Sequence, residues 1–112
     1  MLLLVCILKD YRLVEALLLG FVEEGVTGAT VLEGRGMGQI LGNEVPLFAS
    51  LRGLFPGAGA ESHVVFSAMT AEKAARCLDL VSRVCGDLDE PGAGVAFTIR
   101  LETMLGLAPE IV

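Results

Sequence analysis

One histidine, His63, is the whole imidazole supply of the 112-residue chain. A metal or catalytic site built on histidines is therefore short of partners. The three cysteines, Cys6, Cys77 and Cys85, are odd in number and have no C-x-x-C spacing, so they read as small core hydrophobes rather than zinc ligands or disulfides. Basic residues are few, eight scattered along the chain against fourteen acidic ones, for a net charge of -6 and a pI near 4.6. Nucleic acid, which needs a basic face to neutralise phosphates, is a poor partner for such a surface. Long hydrophobic runs are missing too: charges interrupt each one short of the roughly 20 residues that a bilayer-spanning helix requires. The opening "MLLLVCIL" has no basic segment before it and meets Lys9 and Asp10 at once. Neither a signal peptide nor membrane insertion is expected, and a cytoplasmic location is the default. No Ser/His/Asp or Cys/His spacing supports nucleophilic catalysis, and the chain reads as a non-enzyme.

What is present is apolar. Hydrophobic residues make up 54% and the mean hydropathy is +0.69, high for a small domain with proportionally more surface to cover. No linker divides residues 1–112, which form one predicted domain. Part of its apolar surface is expected to meet another subunit.

Residues 2–8, "LLLVCIL", predict a strand covered on both faces or packed at a subunit contact. Over 11–24 the spacing of Val14, Leu17, Leu18, Phe21 and Val22 predicts a helix with Asp10 as N-cap and Gly25 as its stop, leaving Leu13 and Leu19 off the buried stripe. A turn feeds a β-branched strand over 27–34. Residues 36–60 then hold six glycines and two prolines, a loop longer than compact domains usually carry without a function. A third strand is predicted over 63–69. Thr70 caps a helix over 71–85 with Ala74, Cys77, Leu78, Val81 and Cys85 inward, and a fourth strand covers 95–101. The class is α+β, and the order predicts a ferredoxin-like βαββαβ fold: a four-stranded antiparallel sheet, two helices on one face, a long loop between strands 2 and 3. The other face has no cover within the chain, which favours oligomerisation.

The stretch "VLEGRGMGQIL" places glycines at 34, 36 and 38. A dinucleotide fingerprint is excluded, because Leu41 stands where the third glycine belongs and no helix is predicted to begin there, and no Walker lysine follows. Instead, "EEGVTGATVLEGRGMG", through Gly25, Val26, Thr27, Gly28, Thr30 and Val31 and then Gly36 and Gly38, resembles the nitrogen-regulatory PII signalling family. The resemblance implies a homotrimer with sheets packed inward, and nucleotide sites in the clefts between subunits. It also implies a T-loop, here about 36–60, that docks on a regulated protein of nitrogen or carbon metabolism, a metabolic enzyme or a membrane transporter.

Carried over by residue, the resemblance makes Thr30 the threonine near an adenine, and Gly36 and Gly38 the glycines whose amides approach phosphates. Gln39 stands one position before the family's effector-contacting glutamine, where this chain has Ile40. A B-loop-like segment, about 86–94, keeps Gly92 and Gly94 but lacks the family's phosphate-binding lysine and gains Asp87, Asp89 and Glu90. These carboxylates would repel a triphosphate unless a cation intervenes. The family's arginine pair reduces to Arg100, and Tyr11 is the only tyrosine, so neither uridylylation nor a standard ATP/2-oxoglutarate response is expected. An adenine nucleotide (AMP, ADP or ATP) remains the implied ligand, with no metal.

Within the long loop, Leu47, Phe48, Leu51, Leu54 and Phe55 recur at helical spacing around Arg52. Two readings stay open: packing against the trimer, or an interaction segment that orders on a partner with Arg52 presented. A constitutive trimeric scaffold that has lost its ligand is the alternative function, favoured by the missing lysine.

Overall fold

The computed structural model describes residues 1–44, 61–90 and 93–106. It is an α+β domain with the elements β1 (Leu2–Leu8), α1 (Tyr11–Glu23), β2 (Thr30–Gly34), α2 (Met37–Gln39), a π-helical turn over Ile40–Glu44, β3 (Ser62–Met69), α3 (Ala71–Cys85) and β4 (Val95–Arg100). The sheet order is β2-β3-β1-β4, every neighbouring pair antiparallel. This arrangement is compatible with the ferredoxin-like fold predicted above.

Strand alternation sorts the sheet into two faces. Leu4, Cys6 and Leu8 of β1 lie opposite Ser67, Val65 and His63 of β3, and all six are buried. Leu4, Cys6, Leu8 and Val65 meet Val14, Leu17 and Phe21 of α1 and Ala74, Cys77 and Val81 of α3, the core of the domain. Cys6 and Cys77 are fully buried free thiols, and Cys85 is partly exposed. Burial, reinforced by Cys85 and Cys77 nearby, pushes the Cys6 thiol up to about 12. On the opposite face stand Leu3, Val5 and Ile7 of β1, Val64, Phe66 and Ala68 of β3, Val95, Phe97 and Ile99 of β4, and Leu32 of β2. No helix of the described residues covers this face. Phe97 is 40% exposed, and Leu32, Val95 and Ile99 are more open still.

Both long helices begin on side-chain caps. Asp10 Oδ1 accepts the Arg12 backbone N–H at 3.0 Å, and Thr70 Oγ1 accepts that of Lys73 at 3.3 Å. Each cap supplies an acceptor for an otherwise orphaned first-turn donor. The helices cross at Gly20, where an added Cβ would sit 2.5 Å from Leu80 Cδ2. Arg76 Nε to Glu24 Oε2 at 3.0 Å, and Lys73 Nζ to the Gly25 carbonyl at 3.3 Å, tie the start of α3 to the end of α1.

The helix faces refine the sequence reading. Val22 is 59% exposed rather than inward, because α3 closes on Gly20 and leaves the next face uncovered; Leu80, absent from the predicted stripe, fills the space beside that glycine. Leu13 packs partly on the core, whereas Leu19 is open. Within 27–34 the turn gives way to the strand at Thr30, after the Val26 N–H is spent on the Phe21 carbonyl at 2.8 Å and the Gly28 carbonyl accepts the Ser67 hydroxyl. Among the described residues no helix is long and apolar enough to cross a membrane.

Candidate functional site

The ends of β1 and β2 and the starts of β3 and β4 meet at one edge of the sheet, where residues 36–60 leave and return. Here Lys9, the residue after β1, donates from Nζ to Ser62 Oγ at 2.9 Å. A Cβ on Gly36 would lie 3.2 Å from that ammonium and 3.8 Å from the Ser62 hydroxyl. Gly36 therefore brings bare backbone against a cation, a setting suited to a small anion.

The glycines do not simply open a loop, as the sequence reading has it. Gly36 is extended, at φ -75 and ψ 163, and its carbonyl accepts the Ile40 N–H at 3.0 Å. That bond starts the helical turn containing Gly38 and Gln39, which runs on as the π-helical turn. Gln39 Oε1 is buried there without a hydrogen-bond partner. A buried orphaned polar atom costs free energy until something meets it.

Gly94 borders the same end, and its geometry has a packing cause. Its φ is +133, and an added Cβ would stand 2.6 Å from the Ile7 carbonyl oxygen. Only glycine lets the chain enter β4 this close to β1. Gly92 lies outside the described residues, as do the loop residues Leu47, Phe48, Leu51, Arg52, Leu54 and Phe55.

Thr30 and Arg100 stand elsewhere. Thr30 starts one edge strand and Arg100 ends the other, three strand spacings or about 14 Å apart across the sheet. By register the Thr30 side chain shares the open face with Phe66, while Arg100, opposite Leu2, belongs to the helix face. One chain thus gathers Gly36, Gly38, Gln39 and Gly94 at one end, and does not bring Thr30 or Arg100 to them. Thr30 instead borders a cleft of ≈ 400 Å³ whose walls include Leu3, Phe66, Ala68 and Met104.

In the acidic turn, Asp87 Oδ1 accepts the Asp89 backbone N–H at 2.9 Å, so this carboxylate stabilises its own turn. Among the described residues no cluster of three or more His, Cys, Asp or Glu side chains is arranged to hold a metal ion.

Lys9 and Ser62 are the site residues that sequence reasoning missed. Lys9 reads as the solvated end of an apolar strand, and only the β1–β3 pairing, between segments far apart in the chain, sets it against Ser62. No family model matches the chain and no curated protein matches it; the likeness of residues 25–38 to the PII family remains a resemblance.

Proposed function

We propose that the chain is the protomer of a PII-like homotrimeric regulator, in which a small anionic effector, an adenine nucleotide by the resemblance, binds where one copy's Lys9–Gly36 corner meets a neighbour's edge strand. Effector binding would set the state of residues 36–60, through which the trimer acts on a metabolic enzyme or transporter. The observation that carries this reading is the uncovered apolar sheet face, which a second and third copy of the same face would bury. Two others support it. Lys9 supplies, from β1, a cation that the acidic turn lacks, and the separation of Thr30 and Arg100 from the glycines within one chain is what a site shared between subunits requires.

Native mass spectrometry at neutral pH, combined with thermal melts in the presence of AMP, ADP and ATP, tests both halves. A trimer whose melting temperature rises with one nucleotide is the expected result. A monomer overturns the reading entirely, and a trimer indifferent to all three nucleotides and to bicarbonate leaves the constitutive scaffold in its place.

A further inference from the structure

The chain after β4 does not run straight on. The Leu101 N–H donates to the Met1 carbonyl at 3.1 Å, and by Met104 the tail has turned back over the open face of the sheet. Met104 shares the cleft of ≈ 400 Å³ with Leu3 of β1, Phe66 and Ala68 of β3, and Ala29 and Thr30 at the entry to β2. Four residues of extended chain, about 13 Å, are enough to pass the two strand spacings, about 10 Å, from β4 to β3. The tail thus leads from one edge strand of the sheet towards the other.

Residues 102–106 are all exposed, and at the head of this path Leu105 is 91% exposed, the most open large hydrophobic side chain among the described residues. A lone exposed leucine means little. This one follows Met104, which borders an apolar face that also shows Phe97 and Ile99, the latter 47% exposed, and a contiguous apolar face marks an interface. Ile99 lies opposite Leu3, and Leu3 opposite Ala68. On β4, Ile99 therefore stands at the level where the tail crosses.

A cyclic trimer is closed by heterologous contacts, in which two different patches of each copy meet. The two edges of this sheet are such a pair. β2 and β4 run in opposite directions, so β4 of a second copy can stand beside β2 without breaking the antiparallel order, at the edge towards which the tail leads. We propose that the tail is an intersubunit anchor: in the homotrimer, Leu105 of each copy packs on Ile99 of the next. This contact rests on the homotrimer reading above and deepens it by naming side chains that close the ring. It forms only between copies, because within one chain Ile99 and the start of β2 lie on opposite edges of the sheet.

Variants of the full chain test the contact in two ways. Leu105→Asp is expected to move dissociation of the trimer, followed by sedimentation and native mass spectrometry, to at least tenfold higher protein concentration. The melting curve of the dilute monomer should not change, because the side chain touches almost nothing in its own copy. For geometry, Leu105→Cys and Ile99→Cys are each made in a Cys85→Ser background, where Cys6 and Cys77 are sealed in the core, and the two proteins are mixed. A short bis-maleimide is expected to join one variant to the other, identified by mass, and neither to itself. A trimer unaffected by Leu105→Asp, a mixed pair that does not cross-link, or Leu105→Cys joined chiefly to itself overturns the anchor and leaves the trimeric regulator standing. A parent chain that is monomeric overturns both.

Discussion

Lys9 Nζ and Ser62 Oγ, 2.9 Å apart, join the end of β1 to the start of β3 where residues 36–60 return to the sheet. The ammonium keeps two further donors in hand, and the bare backbone of Gly36 lies beside it. Lys9→Met keeps the length of the stem and removes the charge. If the corner binds a nucleotide as proposed, the change is expected to weaken that affinity tenfold or more by calorimetry, the scale of one lost charge-assisted hydrogen bond, with little change in melting temperature. Unchanged affinity would move the anion away from this corner.

Gly20→Ala places a methyl group 2.5 Å from Leu80 Cδ2. Helix propensity rewards the change by about 1 kcal/mol, and overpacking costs about 1–3 kcal/mol. A lower melting temperature is the expected outcome. Leu80→Ala made together with Gly20→Ala should cost less than the two single losses added, since the added methyl then occupies vacated space; strict additivity would show that the helices do not meet at this pair.

Asp10 is held below the ordinary carboxylate pKa, first by the Arg12 side-chain hydrogen bond, then by the Arg12 backbone N–H. A carboxyl whose folded pKa is depressed contributes stability above its unfolded pKa, and that contribution disappears as the pH falls through the folded value. Asp10→Ala should therefore lower the melting temperature at neutral pH, and the difference from the parent should close in acid below the normal carboxylate range. A gap that persists there would assign the loss to something other than the charged cap.

Thiol labelling should proceed in a fixed order. Cys85 is partly exposed, although burial raises its pKa, whereas Cys6 and Cys77 are sealed in the core and Cys6 is held as the thiol up to about 12. Only the thiolate reacts. One slow equivalent of disulfide reagent is expected in native protein, absent in Cys85→Ser, with the remaining two released on unfolding.

The helices and strands were legible because their signals are local. Asp10 and Thr70 announce helix starts, an uninterrupted apolar run marks β1, and the Val64–Phe66 stretch marks β3. The open face was legible as well, since a four-stranded sheet with two helices leaves one side bare whatever the details. The inward faces of the helices were harder, because Val22 and Leu80 differ from their neighbours only through where α3 crosses α1, and that crossing is set by a missing side chain at Gly20. Least legible was the corner at Lys9. Its chemistry depends on a pairing between residues 53 positions apart, and the Gly36 carbonyl bond that starts a helical turn leaves no mark in a Gly-x-Gly spacing.

Gly94, packed on the Ile7 carbonyl, acts as a register stop for the last strand. Slipping β4 by one residue would drive the Val95 side chain into that carbonyl and turn Phe97 and Ile99 from the open face to the helix face. Length changes in the preceding turn must therefore be absorbed by the turn itself. That makes the acidic segment a natural place for grafting or trimming without redrawing the sheet behind it.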